Sequence, residues 1–130
     1  MAGIKLNRLD HLVLTVSNID TTCAFYQRVL GMRVVTFGPQ SRKALLFGSQ
    51  KINLHEKGSE FKPNARVAEP GTADLCFIAD TGIEAVRTHL QKEQIPLEMD
   101  LIERTGATGP IRSIYIRDPD GNLLEISNYV

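Results

Sequence analysis

The chain has 130 residues, of which 42% are hydrophobic and 23% charged, as is typical of a single soluble globular domain. Fifteen basic residues balance fifteen acidic ones, so the formal net charge is zero and offers no electrostatic attraction for nucleic acid or a membrane surface. No apolar run approaches the ~20 residues needed to span a bilayer, and the start of the chain lacks the apolar core of a signal peptide, so we expect a cytoplasmic protein.

The first half of the sequence predicts one helix and four strands. Residues 9–16 (LDHLVLTV) are apolar and β-branched, as in a strand. Polar residues then offer a helix cap, and apolar residues recur at helical spacing in TTCAFYQRVLG, where Gly31 predicts the end of the helix. The segments MRVVTF, RKALLFG and KINLHEK predict three further strands. Residues 58–72 hold two prolines and two glycines with little periodicity, which predicts a connecting loop.

The second half repeats this order of elements. ADLCFIA predicts a strand, IEAVRTHLQKEQ an amphipathic helix and PLEMDLI a strand, followed by the glycine-bearing loop ERTGATGP. IRSIYIRD and NLLEISNY predict a hairpin around the turn Asp118–Gly121. The sequence therefore predicts an α+β fold of two βαβββ modules in one domain, 1–130, with module one at 5–57, a linker at 58–72 and module two at 73–130.

Two segments carry a resemblance to a known family. LDHLVLTVSNIDTTCAFYQRVLGM near the start and IYIRDPDGNLLEISN near the end resemble the vicinal oxygen chelate superfamily, which includes the glyoxalases. The pairing of D-H near the start with D-P-D-G-N-x-x-E near the end makes this resemblance specific. RKALLFGSQKINLHEKG and RTGATGPIRSIYIRDPDGN add a narrower similarity to the glyoxalase-domain-containing protein 5 type. The resemblance implies that the sheets of the two modules enclose a divalent metal ion in a shared cup.

The resemblance also implies which residues bind the metal. His11 and Glu125 match ligand positions directly, and Asp74 meets the position of His11 after a slip of one residue between the modules. The remaining ligand position is ambiguous, because strict alignment selects Asn53, whereas His55 lies two residues further on the same face of the strand, roughly 7 Å away. Histidine is the stronger donor, so the preferred set is His11, His55, Asp74 and Glu125, with Asn53 assigned to the substrate. This set suits Zn, Ni, Co, Mn or Fe(II).

Three further residues are candidates for substrate binding. Ser113 and Tyr115 alternate along one predicted strand and would share the face of the cup, although a core tyrosine fits the pattern equally well. Arg104 precedes a loop with two glycines, which either closes over a ligand or only connects two strands. All three residues are therefore kept as candidates.

The resemblance implies a metal-dependent lyase or isomerase of the glyoxalase type, related to lactoylglutathione lyase, that acts on a small oxygenated substrate. In this reaction the metal stabilises an enediolate, and Glu125 serves as both ligand and proton shuttle. The sequence departs from glyoxalase I enzymes at three positions that bind glutathione there, with Thr15, Lys57 and Pro70 in place of two arginines and an asparagine. These departures argue against glutathione as the thiol co-substrate.

Three other functions stay open within the same resemblance. A thiol transferase of the fosfomycin-resistance type would open an epoxide with an added thiol, and an extradiol-type dioxygenase would bind iron through His11, His55 and Glu125. A metal-free binding module would hold a planar ligand in an aromatic pocket, against which the 6% aromatic content and the absence of tryptophan argue. Family members usually pair, so we expect a homodimer in which the cup is closed either within one chain or between two.

Overall fold

The computed structural model describes residues 3–130, and the first two residues of the predicted domain lie outside this range. The chain forms two successive βαβββ modules, as predicted. The first consists of β1 (His11–Val16), α1 (Ile19–Leu30), β2 (Arg33–Phe37), β3 (Arg42–Phe47) and β4 (Gln50–Glu56). The second consists of β5 (Asp74–Ile78), α2 (Ile83–Lys92), β6 (Met99–Thr105), β7 (Pro110–Arg117) and β8 (Leu123–Tyr129).

Each module folds into a four-stranded sheet, and the two sheets have the same topology. The strand order is β1-β4-β3-β2 in the first sheet and β5-β8-β7-β6 in the second. The first strand of each module runs parallel to the fourth, and all other neighbours are antiparallel. The predicted α+β fold is confirmed, and β1 and β5 each lie at an edge of their own sheet.

A single apolar core runs through both modules on the helix-covered faces of the sheets. Ile52 and Leu54 on β4 enter this core, as do Leu124 and Ile126 on β8. Both helices contribute buried side chains to it, among them Tyr26, Val29, Val86 and Leu90. Because side chains alternate along a strand, the residues between these core positions point to the other side of each sheet. We call these two opposite sides the free faces.

Polar contacts join the modules on the helix side of the sheets. His89 on α2 lies with its Nε2 2.9 Å from the carbonyl oxygen of Val29 on α1. The hydroxyl of Tyr26, also on α1, donates to Asp118 Oδ2 in the turn between β7 and β8 at 2.6 Å. The modules of one chain therefore meet through their helices and turns, and not through their free faces.

The two helices begin at caps of different kinds. The side chain of Asn18 accepts a hydrogen bond from the Thr21 N–H at 2.9 Å, and α1 ends at Gly31 with φ 66°, as predicted. The residue before α2 is a glycine, and Asn128 Oδ1 on β8 instead accepts the hydrogen bond from the Ile83 N–H, at 2.6 Å. Among residues 3–130, no helix has the length and apolar character needed to cross a bilayer.

The position of β6 along the chain differs from the prediction. The pattern predicts a strand at 96–102 and a loop at 103–110, whereas β6 runs from Met99 to Thr105. The last three residues of β6 are polar, so a pattern of apolar residues assigns them to a loop. In the structure they pair with the start of β7 and therefore belong to the strand. Pro96 has no backbone N–H to donate to a neighbouring strand, which favours the later start.

Candidate functional site

The strand register defines which side chains share the free face of the first sheet. β1 and β4 are parallel neighbours, and side chains at paired positions point to the same side. This face therefore carries His11, Val13 and Thr15 from β1 and Lys51, Asn53 and His55 from β4.

The second sheet repeats this arrangement. Its free face carries Asp74, Cys76 and Ile78 from β5 and Leu123, Glu125 and Ser127 from β8. At the start of the first strand, Asp74 occupies the position that His11 has in the first module. On the fourth strand, Glu125 occupies the position of Asn53. The register of the two sheets therefore agrees with the strict alignment of Asn53 with Glu125.

Glu125 is 9% exposed and is held by serine hydroxyls. Ser113 Oγ donates to its Oε2 at 2.5 Å, and Ser127 Oγ lies 3.5 Å from the same oxygen. The two hydroxyl oxygens are 2.6 Å apart. A carboxylate fixed in this way keeps one orientation on the free face, which suits a metal ligand or a proton carrier.

Tyr115 and Arg104 lie beside Glu125. Tyr115 is the neighbour of Glu125 across β7 and β8 and is half-buried on the free face. Arg104 Nε donates to the Tyr115 hydroxyl at 3.0 Å, and its guanidinium carbon lies 5.6 Å from the centre of the tyrosine ring. The second free face thus brings together the three candidate substrate-binding residues of its own module with the candidate catalytic carboxylate.

His11 and Asp74 are exposed at the starts of β1 and β5. His11 Nδ1 lies 2.8 Å from Asp10 Oδ2, and this hydrogen bond lowers the pKa of the Asp10 carboxyl. When Nδ1 carries the proton, the lone pair of a neutral imidazole is on Nε2. Metal-binding histidines commonly have such a carboxylate partner on the other ring nitrogen, so His11 is arranged as a ligand would be.

His55 is only 2% exposed, and its ring contacts a guanidinium. Arg42 Nη2 lies 3.1 Å from His55 Nε2. Because a guanidinium only donates hydrogen bonds, Nε2 is the acceptor, and the neutral ring carries its proton on Nδ1. Burial, followed by the positive charge of Arg42, lowers the pKa of His55. In the register of the two sheets, His55 corresponds to Ser127 and not to Glu125. Because its lone pair also binds Arg42, the geometry makes His55 a weaker candidate for a metal ligand than the chemistry of imidazole suggests.

Asn53 provides an unused oxygen on the first free face. Its Oδ1 is buried and has no hydrogen-bond partner among the residues described. A buried polar atom without a partner is costly, so its presence here needs an explanation. A cation or a substrate donor group at this face would satisfy it.

One chain does not bring the predicted metal ligands together. Within residues 3–130, no three side chains of the types His, Cys, Asp and Glu are placed so that they could hold a metal ion. His11, Asn53 and His55 lie on the first free face, whereas Asp74 and Glu125 lie on the second. These side chains, including the unpartnered oxygen of Asn53, are of types that bind a divalent cation. A complete site would require the first and second free faces to meet.

The sequence interpretation missed Arg42, although a signal for it was present. The hairpin of β3 and β4 turns at Gly48 and Ser49 and pairs Phe47 with Gln50. Counting back from this turn in an antiparallel register places Arg42 opposite His55. The ring of Phe61, with its centre 4.5 Å from the Arg42 guanidinium carbon, comes from the connecting segment, and no local pattern identifies it.

The chain belongs to the Glyoxalase/Bleomycin resistance protein/Dioxygenase superfamily, because the model of that family matches residues 8–126. The matched range begins just before β1 and ends within β8, so it includes every candidate metal ligand and all but the last three residues of the two sheets. The family resemblance predicted from the sequence motifs is confirmed at this level.

Individual relatives agree with this assignment. Virulence protein STM3117 of Salmonella typhimurium is 58% identical over 125 residues, covering 96% of this chain and 86% of that protein. Its crystal structure has a TM-score of 0.96 at 57% identity, over 98% of this chain and 100% of that one. The glyoxalase domain-containing protein RDO1 of Mycosarcoma maydis is 55% identical over 126 residues, covering 97% of this chain and 70% of that protein. The structure of lactoylglutathione lyase from Agrobacterium tumefaciens has a TM-score of 0.72 at 25% identity, over 95% of each chain.

Proposed function

We propose that this protein is a metal-dependent lyase or isomerase of the glyoxalase type that works as a homodimer on a small oxygenated molecule. The proposal rests on one observation. The candidate ligands occupy equivalent positions on the two free faces, and within one chain these two faces do not meet. In the dimer, the first free face of one chain meets the second free face of its partner. The narrower similarity to the glyoxalase-domain-containing protein 5 type belongs to the same proposal.

Four side chains would hold the metal in this dimer. We assign His11, Asp74, Glu125 and the Oδ1 of Asn53, and we place His55 outside the ligand set because Arg42 already uses its lone pair. When bound, a divalent ion supplies Lewis acidity toward two neighbouring oxygens of the substrate. The donor set of one imidazole, two carboxylates and one amide suits Zn, Ni, Co, Mn or Fe(II).

Glu125 is the proton carrier in this proposal. The hydroxyls of Ser113 and Ser127 fix its Oε2, so the carboxylate faces the substrate in one orientation and transfers a proton between neighbouring carbons. Tyr115 and Arg104 bind the substrate from the same face. Thr15 and Lys57 stand where glutathione-dependent enzymes have an arginine and an asparagine, so the substrate is not a glutathione adduct.

Metal analysis of purified variants tests the ligand set. We would measure metal by mass spectrometry in the native protein and in five alanine variants: His11→Ala, Asp74→Ala, Glu125→Ala, Asn53→Ala and His55→Ala. The native protein should carry about one ion per chain, the first three variants should lose it, and Asn53→Ala should bind it more weakly. His55→Ala should retain it. Native protein without metal after purification and reconstitution would overturn the enzyme proposal and favour a binding module.

The chemistry is tested by proton exchange with solvent. A 2-oxoaldehyde incubated with the protein in D2O should yield a 2-hydroxy product, followed by NMR, with glutathione and separately with a small thiol. We expect turnover to be at least tenfold faster with the small thiol, and to be lost in Glu125→Gln. Oxygen consumption with a catechol would instead support a dioxygenase, a function that His55 disfavours because its lone pair binds Arg42.

A further inference from the structure

Three polar atoms in one cluster of the first free face are buried without a hydrogen-bond partner. They are Arg42 Nε, Asn53 Oδ1 and His55 Nδ1, and among the described residues no other side-chain nitrogen or oxygen is in this condition. Native proteins leave few such atoms, and a group of three on adjacent strands calls for a specific explanation. The proposed metal site accounts for Asn53 only, so Arg42 and His55 remain to be explained.

The two remaining atoms are both hydrogen-bond donors. Arg42 Nε carries a proton, and His55 Nδ1 carries one because Nε2 accepts from the guanidinium. Arg42 also forms no ion pair with any residue in the described range. Arg42 is half-buried, and a partly desolvated guanidinium without a carboxylate partner is unusual. His55 Nδ1 points away from the guanidinium, because Nε2 faces it, so Arg42 is the group left to bind an anion.

The surroundings of Arg42 are apolar and positively charged. The guanidinium carbon lies 5.2 Å from the centre of the Phe37 ring and 4.5 Å from that of Phe61. Lys51 Nζ lies 4.0 Å from the centre of the Phe37 ring on the same face. Glu60 is an acid whose charge acts on His55, but it forms no ion pair with Arg42, and its carboxylate accepts a hydrogen bond from the Gly58 N–H at 3.1 Å. A region that desolvates a cation between aromatic rings strengthens its attraction for an anion.

We propose that Arg42, held in place by its contact with His55, forms a subsite for a carboxylate of the substrate. The inference rests on the proposed function, because it places this subsite two residues, about 7 Å, along β4 from the proposed ligand Asn53. The substrate class is therefore a small organic acid with two neighbouring oxygens at one end and a carboxylate at the other. Phe61 covers the subsite from the connecting segment, with its ring centre 5.5 Å from that of His55.

A pair of matched probes tests the subsite. The full-length protein labelled with 15N, as purified and after EDTA treatment, would be titrated with propanoate and with propanamide, which has a similar shape and no charge. We expect the Arg42 Nε–H resonance to shift with propanoate and to stay unchanged with propanamide. Equal responses to both probes, or no response to propanoate, would overturn the proposal.

Variants separate a specific subsite from general positive charge. Arg42→Gln should weaken propanoate binding at least tenfold, whereas Arg33→Gln, which removes an exposed arginine of β2 in the same sheet, should leave it unchanged. Arg42→Lys keeps the charge and serves if the glutamine variant fails to fold; it should also bind more weakly, because lysine lacks the planar donor pair. Equal losses in the Arg33 and Arg42 variants would show nonspecific attraction and overturn the subsite.

The outcome is distinguishable from a failure of the proposed function. Propanoate binding in EDTA-treated protein depends on Arg42 and His55 and not on the metal ligands. Normal metal content without propanoate binding would reject the subsite and leave the metal site standing. Propanoate binding in a protein that takes up no metal would reject the proposed function and leave the carboxylate site standing.

Discussion

Asp118 accepts four hydrogen bonds and organises the turn between β7 and β8. It is buried, and it accepts hydrogen bonds from the backbone N–H groups of Asp120 and Asn122, from the Asn122 side chain and from the Tyr26 hydroxyl. We expect Asp118→Ala to reduce the free energy of unfolding by about 3 kcal/mol, because three kinds of buried donor lose their acceptor. Urea unfolding measures this change, with the exposed Asp80→Ala as a control that should be nearly neutral.

The same contact makes a prediction about alkaline pH. Burial, followed by the negative charge of Asp118, raises the pKa of Tyr26 well above its usual value. The pKa of Tyr26 is therefore higher in the folded state than in the unfolded state. The contribution of the protonated Tyr26 to the free energy of unfolding is complete below the ordinary tyrosine pKa of about 10, and it is lost as the pH rises above that value. Absorbance at 295 nm should therefore show a late ionisation step that coincides with unfolding. Tyr26→Phe should lack that step, and a step that persists in the variant would contradict the assignment.

Single residues show where the sequence was informative and where it was not. The turn at Asp118–Gly121 follows from its own four residues, and Gly121 adopts a positive φ of 85°. The bond from Asp118 to Tyr26 crosses 92 positions of the chain, so no local pattern predicts it. The prediction of His55 as a ligand rests on imidazole being a good donor, and the arginine that contacts its Nε2 comes from the neighbouring strand, where no local pattern around His55 shows it.

At the level of elements, α2 depends on a strand for its start. Gly82 offers no side chain, and Asn128 on β8 accepts from the Ile83 N–H and donates to the carbonyl oxygens of Ala79 and Thr81. We expect Asn128→Ala to cost about 2 kcal/mol, at the upper end for a helix cap, because these bonds also join α2 to β8. Circular dichroism during urea unfolding measures it, and Asn64→Ala, on the exposed connecting segment, should cost far less. Equal losses in the free energy of unfolding for Asn128→Ala and Asn64→Ala would show that the Asn128 cap is unimportant.

Element identity was predictable from the sequence to a greater extent than element boundaries. Alternation of apolar residues and the stop at Gly31 identify the elements of module one. The end of β6 was misplaced because Glu103 and Arg104 are polar, and their strand conformation comes from pairing with β7. A local pattern reports burial, whereas this stretch is held by backbone hydrogen bonds at the sheet edge.

For the whole molecule, the sequence of one chain predicts the modules and their faces but not how the two faces come together. The repeat of βαβββ modules identified both free faces, and the motifs identified His11 and Glu125 on them. The sequence left open whether the cup is closed within one chain or between two. In the structure the modules meet through their helices, so the free faces are directed away from the shared core. The proposed metal site would therefore depend on association of two chains.

The free faces carry exposed apolar side chains at their edge strands, as an interface requires. Val13 on β1 is 46% exposed and pairs with Asn53 on β4, and Ile78 on β5 is 51% exposed and pairs with Ser127 on β8. We expect the native protein to have a mass near 28.8 kDa, twice the 14.4 kDa of the chain, in light scattering at micromolar concentration. The double variant Val13→Lys/Ile78→Lys should be monomeric, because burying two unpaired charges at an interface is costly.

Loss of the dimer should also remove the metal, although the variant keeps every proposed ligand. Ile78→Lys alone should have the same effect, and it places no charge beside Asn53. Metal content measured on the same samples should therefore fall together with the mass, while circular dichroism stays unchanged. Val67→Lys changes an equally apolar side chain that is 71% exposed on the connecting segment, and it should leave both mass and metal content as in the native protein. A monomeric double variant that still binds one ion per chain would show that a single chain can close the cup by itself. In that case the modules would have to swing about the connecting segment, because the ligands lie on separate faces in the present arrangement.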